Sequence, residues 1–389
     1  SSSSLFLIPD ICKVLPIPME LYRLAYLMPS LIQRLDRYLI VNQFKNRMNL
    51  PISHNQTLFS AFCSCSAHEG SNYERLENLG DSFIKFAVSI DIFRKYPNLD
   101  EGGMTYHRGK IICNKNLYEI SIKKNFDSLM FVNAFNPKSW YPPKHKKKSK
   151  KSDSSISLYQ STKGPLWRVI SKKTLADFIE SLTAAYYVES GLNTAIKFCH
   201  MIGLISENTN QCFKTSHNNL GLNEESLDKL RLAQSKLHYH FKNRLYLVEA
   251  FTHASYTTVI THNYERLEFL GDATLDWILQ RFFFLTYPSA SAAELSELRQ
   301  AAVNNESLAR LSIGLGYHYY LMHHSVNLQN EITMYIDMLE KKKTIRPKVL
   351  GDLFEAVIGA VLVDSNYNVT TVWRVFRPLL SDFLDKHAS

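Results

Sequence analysis

The chain has 389 residues, 45% hydrophobic and 21% charged, with 45 Lys and Arg against 36 Asp and Glu. That is the composition of folded protein, and the length allows two or three domains with cores of their own, which excludes a disordered tail or a minimal scaffold. A formal net charge of +9 and a pI near 9.0 favour a polyanionic partner; no apolar run reaches the length of a membrane span, and the start lacks the basic-then-apolar pattern of a signal peptide.

Residues 1–49 read as a connector segment and helix. Pro9, Pro16 and Pro18 keep the lead-in extended, since proline fixes φ and removes a donor. A helix is expected over 19–28 and should break at Pro29. Ser30 then begins a second helix, with Leu31, Leu35, Tyr38, Leu39 and Asn42 on its packing face.

A first large domain is expected over 50–215. Helical patterning runs through Glu74-Arg75-Leu76-Glu77-Asn78-Leu79-Gly80-Asp81, turns at Tyr96-Pro97-Asn98, and resumes over 104–121, 172–189 and 192–202. Residues 136–165 interrupt it with Pro142-Pro143 and a basic run from Lys144 to Lys151, an inserted loop with a mobile tip, because like charges repel. Residues 206–225 are rich in Asn and Ser, and 216–225 is the linker to a second domain over 226–389. Strand alternation is poor throughout. The expected fold class is all-α: two helical domains paired within one chain, with the connector helix in front.

The chain repeats its motif. Glu265-Arg266-Leu267-Glu268-Phe269-Leu270-Gly271-Asp272 follows the first octet at a constant offset of 191. Each copy has a later acidic pair, Asp177 with Glu180 and Asp352 with Glu355. Asp81 to Asp177 is 96 residues and Asp272 to Asp352 is 80; the difference of 16 is about the size of the basic insertion. Gly80 and Gly271 sit inside helices that disfavour them, which points to close approach of another backbone.

Glu77 and Asp81 are i and i+4, and Asp177 and Glu180 are i and i+3, so each pair shares a helix face. Apolar flanks (Leu76, Leu79 and Phe83; Leu175, Phe178, Ile179 and Leu182) would drive the two helices together and gather the acids. Four unpaired carboxylates in one place are costly. With no His or Cys in the set, a hard divalent cation fits best: Mg²⁺, with Mn²⁺ as substitute. A lone Glu-x-x-x-Asp is commonly a solvated helix face. Duplication inside apolar helices, with a downstream Asp-x-x-Glu each time, makes that reading poor. Six cysteines lie scattered; Cys63, Cys65 and His68 lack a fourth zinc ligand and read as free thiols and a histidine in a reducing compartment.

With Asn72-Tyr73 and Asn263-Tyr264 before them, the two octets resemble the signature of the ribonuclease III family, and the downstream acidic pairs resemble its second motif. Thr252-His253-Ala254-Ser255-Tyr256 and Val303-Asn304-Asn305-Glu306-Ser307-Leu308 resemble further stretches of it. Ile8-Pro9-Asp10-Ile11-Cys12, Leu27-Met28-Pro29-Ser30-Leu31 and the loop Asn136-Pro137-Lys138-Ser139-Trp140-Tyr141-Pro142-Pro143 resemble its tandem-domain members. The resemblance implies an endoribonuclease that cuts double-stranded RNA. Glu77, Asp81, Asp177 and Glu180 would hold metal in the first domain, and Glu268, Asp272, Asp352 and Glu355 in the second. Lys173 and Lys348 would lie near the scissile phosphate, and Glu74 and Glu265 would serve a salt bridge or RNA positioning. Each domain would cut one strand across the minor groove of an A-form duplex, using two metal ions and leaving a 5′ phosphate and a short 3′ overhang.

The implied partners are double-stranded RNA, no membrane, and double-stranded RNA-binding or Argonaute proteins. The implied state is a cytoplasmic or nuclear monomer. The 144–151 run and Lys341-Lys342-Lys343 are candidate backbone contacts or plain solvated charge. A non-cutting RNA-binding scaffold of the same fold would have lost acidic ligands, and all eight are present. Absence of a Walker motif and of a recognisable double-stranded RNA-binding domain after Leu384 suggests the catalytic fragment of a longer protein. Two departures stand out: Ala61-Phe62-Cys63-Ser64 where the second domain has Thr252-His253-Ala254-Ser255, and Ala292-Ala293-Glu294 where the first has Glu101-Gly102-Gly103. Neither is expected to touch the carboxylates.

Overall fold

A computed structural model describes residues 16–52, 55–137, 170–206, 224–256, 261–339, 348–381 and 384. The lead-in up to residue 15, the basic run, most of the proposed linker and Lys341-Lys342-Lys343 lie outside the described residues. Within them every regular element is a helix, and only two isolated bridges, Cys63 with Phe131 and Thr252 with Met322, have strand character.

The connector corrects one expectation. Helix α1 (Met19–Met48) runs straight through Pro29. Proline removes one helical donor, but that stretch is bathed in water, and the Ser30 hydroxyl donates to Leu27 O at 2.7 Å. The packing face also differs from the expected one. Leu31, Leu35 and Leu39 are 52%, 62% and 57% exposed, whereas Arg37, Val41, Phe44 and Met48 are buried. Phe44 meets Phe62 and Phe126 edge-on. Arg37 lies over the Phe131 ring, pairs with Glu69 and donates to Asn133 O. The position of the first domain, not the apolar stripe of the helix, decides which side is covered.

The first domain contains α2 (Asn55–Phe62), α3 (Glu74–Lys95), α4 (Glu101–Ile112), α5 (Asn114–Lys123), α6 (Lys172–Ser190) and α7 (Leu192–Ile202). Local chemistry sets several ends. Asp100 caps α4 by accepting from Gly103 N, Ser171 caps α6 by accepting from Thr174 N, and Gly191, at φ 81°, stops α6. The helical run expected over 104–121 is split at Cys113, whose ψ of 146° is extended.

The second domain contains α8 (Glu224–Lys236), α9 (Arg244–Ala250), α10 (Glu265–Thr286), α11 (Ala292–Ala302), α12 (Asn305–Gly314), α13 (Val326–Leu339), α14 (Lys348–Asp364) and α15 (Val369–Phe376). Ser291 and Glu294 form a capping box at the start of α11.

Each domain is built around a crossing of two buried helices, α3 on α6 and α10 on α14. The glycines inside the motifs make those crossings. A Cβ on Gly80 would stand 1.9 Å from Glu180 O, and one on Gly271 would stand 1.8 Å from Glu355 O. No side chain fits there, so glycine sits mid-helix despite its propensity cost of about 1 kcal/mol.

The domains meet through α3 and α10. Trp277 is fully buried against Phe83, Phe86 and Tyr187. Two arginines of the duplicated motif bolt the pair together reciprocally. Arg75 donates to Phe284 O, Tyr287 O and Ala290 O and lies over the Phe284 ring. Arg266 donates to Tyr96 O and Leu99 O and lies over the Phe93 ring. Each guanidinium thereby satisfies carbonyls at the end of its neighbour's long helix.

Candidate active sites

The crossing at each glycine brings the acids together. Glu77 and Asp81 stand one turn apart on α3, and the Gly80 contact presses the Glu180 turn of α6 against them. One carboxylate oxygen each from Glu77, Asp177 and Glu180 lie within 4.8 Å of one another. Glu268, Asp352 and Glu355 repeat the arrangement within the same 4.8 Å. Asp177, Glu180, Asp352 and Glu355 are buried.

The fourth acid of each expected quartet stands beside its triplet rather than in it. Asp81 still helps raise the pKa of Glu180, and Asp272 that of Glu355, in each case behind the larger effect of burial. Asp81 keeps exposed surface, yet the protein packed around its carboxyl displaces water. Desolvation first, and Asp276 second, push its carboxyl up. Asp272 is drawn into ion pairs with Lys85, at 3.2 Å, and Arg108, at 3.6 Å, both from the first domain.

The electrostatics of the triplets are those of crowded acids. Burial, followed by Asp177, pushes Glu77 up to about 7; burial, followed by Asp352, does the same to Glu268. Burial lifts Asp352 to about 6 against the pull of Lys348, and it also raises Asp177. Three carboxyls that resist ionisation together, with only oxygen donors, match what a hard divalent cation offsets. Glu77, Asp177 and Glu180, and Glu268, Asp352 and Glu355, are therefore the residues that could hold one.

Lys348 is 72% exposed along its side chain, yet its Nζ lies 3.4 Å from both Glu268 Oε1 and Asp352 Oδ2. Lys173 is exposed, and its charge opposes the rise of Glu77, Asp177 and Glu180. Glu74 and Glu265 lie outside both triplets. Asn72 Nδ2 donates to Glu74 at 3.4 Å, and Asn263 Nδ2 to Glu265 at 3.0 Å. Burial and the neighbouring Glu74 push the Cys65 thiol up to about 12, so it is a poor metal ligand there.

Several contributors are not marked by the acidic motifs. The Tyr73 hydroxyl donates to Asp177 Oδ2 at 3.4 Å, and Tyr264 lies beside Asp352 and Glu268. Their place immediately before each octet was the available signal. Glu101 lies close enough to Glu268 and Asp352 to raise both, so the first domain adds negative charge to the second domain's site. Because α4 reaches across the pair, this residue serves the other domain, which no within-domain reading reveals.

Comparison with known proteins agrees with this construction. The family model described as the ribonuclease III domain matches residues 74–191 and 265–366, together more than half of the chain. "Endoribonuclease Dicer homolog 1" of Arabidopsis thaliana is 34% identical over 96% of this chain and 22% of its own length. "Protein Dicer" of Schizosaccharomyces pombe is 28% identical over 96% of this chain and 28% of its own length. The chain thus spans about a quarter of the length of these curated relatives. Among solved structures, the nuclease domain of ribonuclease III from Campylobacter jejuni is 30% identical and covers 39% of this chain and 96% of that one, with a TM-score of 0.33. Among the described residues no helix is long and apolar enough to cross a membrane. With the signature present twice, on two crossings of one design, the chain belongs to the ribonuclease III family, and nearly its whole length is similar to about a quarter of the length of Dicer proteins.

Proposed function

We propose that this chain is the cutting unit of a Dicer-like enzyme that cleaves double-stranded RNA into small duplexes for RNA silencing. One observation carries the reading: two triplets of oxygen ligands, built by the same glycine crossing, on two domains paired through their motif helices. Two sites on a pseudo-symmetric pair suit a substrate with two antiparallel strands, one strand to each site. Recognition would rest on phosphates, 2′-hydroxyls and A-form shape.

Glu77, Asp177 and Glu180, with Asp81 at the rim, would bind Mg²⁺ in the first site, with Mn²⁺ as substitute. Glu268, Asp352 and Glu355, with Asp272 at the rim, would do so in the second. A divalent cation held there would act as a Lewis acid, favouring water as nucleophile at a phosphodiester and offsetting charge on the leaving 3′ oxygen, so that the products would carry a 5′ phosphate. Tyr73 steadies the Asp177 carboxylate. Lys173 and Lys348, exposed beside the triplets, would meet the phosphate, and their charge favours the ionised form of the carboxyls. Argonaute and double-stranded RNA-binding proteins are the partner classes that fit this role, in the cytoplasm or nucleus. A non-cutting scaffold has no use for two intact triplets. A Drosha-like processor is the nearest alternative, and the similarity to Dicer proteins disfavours it.

The test is a duplex RNA labelled separately on each strand. Asp81→Asn should abolish cutting of one strand and Asp272→Asn cutting of the other, each by roughly 100-fold or more, with chelator abolishing both. Loss of both cuts from either single substitution would sink the model of two independent sites.

A further inference from the structure

The pseudo-twofold axis that relates the domains passes between α3 and α10, and there positions offset by 191 meet their own counterparts. Phe86 stacks on Trp277, with ring centroids 6.2 Å apart. Beside them, Lys85 Nζ lies 3.4 Å from Asp276 Oδ2. In a pair of identical domains, a residue on the axis faces its own copy. Here a lysine faces an aspartate.

Part of the interface cannot tell one domain from the other, although the Phe86–Trp277 pair on the axis is itself unlike. The Arg75 and Arg266 bolts grip backbone carbonyls at corresponding positions, so they would form in any pairing of these domains. The axial charges are different. Lys85 pairs with Asp272 and Asp276, Arg108 with Asp272, and Arg299 with Asp276 at 2.6 Å, while Asp81 feels Asp276, Arg299 and Lys85. In the observed pair, three cations meet three carboxylates. Two copies of the first domain would set two Lys85 and two Arg108 against two Asp81. Two copies of the second would set two Asp276 and two Asp272 against two Arg299. Asp276 is only 4% exposed, so water could do little to relieve the second excess, and like charges set against each other at an interface oppose its formation.

We propose that the Lys85–Asp276 exchange is a partner-selecting lock: each nuclease domain rejects a copy of itself and accepts the complementary domain, normally that of its own chain. The proposal concerns pairing and stands whether or not either site cuts RNA.

The test uses the full chain without metal, read by sedimentation and by urea unfolding followed with circular dichroism. Lys85→Asp and Asp276→Lys should each weaken pairing at least about tenfold, splitting one unfolding transition into two and lowering the sedimentation coefficient while helix content persists. The double variant exchanges the charges across the axis; Lys at 276 then faces Asp81 and Asp at 85 faces Arg108. It should pair more tightly than either single reversal yet short of the parent, because the new carboxylate also lies beside Asp272 and the new ammonium beside Arg299. An equimolar mixture of the two single variants should form a dimer, because only domains from different chains now match. Lys85→Met and Asp276→Asn remove attraction without adding repulsion and should fall between parent and reversals. Should the reversals be too damaged to fold, these neutral variants and the double variant still decide the matter. A double variant no better than the single reversals, neutral variants no better than the reversals, or a mixture that stays monomeric would each overturn the lock.

Discussion

The two candidate sites share their inner ligands and differ in what the opposite domain sends to them. Beside the second site, Lys85 and Arg108 meet Asp272, and Glu101 approaches Glu268 and Asp352. Beside the first, Asp81 faces the carboxylate of Asp276, and Ala292 stands where the duplication would put the counterpart of Glu101. Duplication therefore preserved the helix crossing and its three carboxyls while the rims diverged. A site finished by its neighbour is free to change on the neighbour's side, and a pair inside one chain need not keep both halves alike.

The strongest way to break this comparison is to attack what the halves share. Gly80→Ala and Gly271→Ala each put a methyl carbon inside a backbone carbonyl. Both should destabilise their own domain by about 3 kcal/mol or more, seen as a lowered urea midpoint, and scatter the local triplet. If Gly80→Ala is tolerated and Gly271→Ala is not, the crossings are not equivalent and the shared design fails.

Those glycines also mark how far sequence could be read. A mid-helix glycine in each copy, against propensity, announced a close backbone, and the acidic spacings announced which side chains would converge. Helix α1 was less legible: its leucines suggested a packing stripe, but burial depends on where the first domain lies. The cross-domain roles of Arg75, Lys85 and Glu101 were illegible for a related reason. They act on residues more than 160 positions away, and nothing in local periodicity encodes the axis that brings them there. Once the offset of 191 is joined to that axis, Lys85 and Asp276 become visible as opposites.

A pH titration sharpens the comparison next. Glu77 and Glu268 are held up at about 7 and Asp352 at about 6 when metal-free, by burial first and by neighbouring acids second. Their folded values exceed the usual carboxylate range, so the metal-free folded state binds protons more tightly than the unfolded chain. Stability should therefore rise as pH falls from 8 through 7 and 6, and be lost in the reverse direction. Metal needs the ionised form, so its apparent affinity should fall about tenfold per pH unit for each proton displaced below pH 7. Thermal unfolding with and without Mg²⁺ at pH 8 and 6 checks both signs: the metal should raise Tm far more at pH 8. An equal rise at both values would mean that the triplets do not bind it.

The smallest expected effect isolates the rims. Glu101 raises Glu268 and Asp352 from across the interface through a field that water in the cleft partly screens. Glu101→Gln keeps the volume of the side chain and removes that field. The second site should then take up metal at a pH lower by a few tenths of a unit, about a twofold gain in affinity near pH 7. The first site, which Glu101 does not reach, should keep its midpoint. Ala292→Glu is the converse and should raise the first site's midpoint by a similar amount. The two sites can be followed separately in chains whose other triplet is disabled by Glu180→Gln or Glu355→Gln, with Mn²⁺ binding measured against pH by paramagnetic relaxation. A shift of both midpoints together would mean that Glu101 acts through the pairing of the domains rather than through the field at one site.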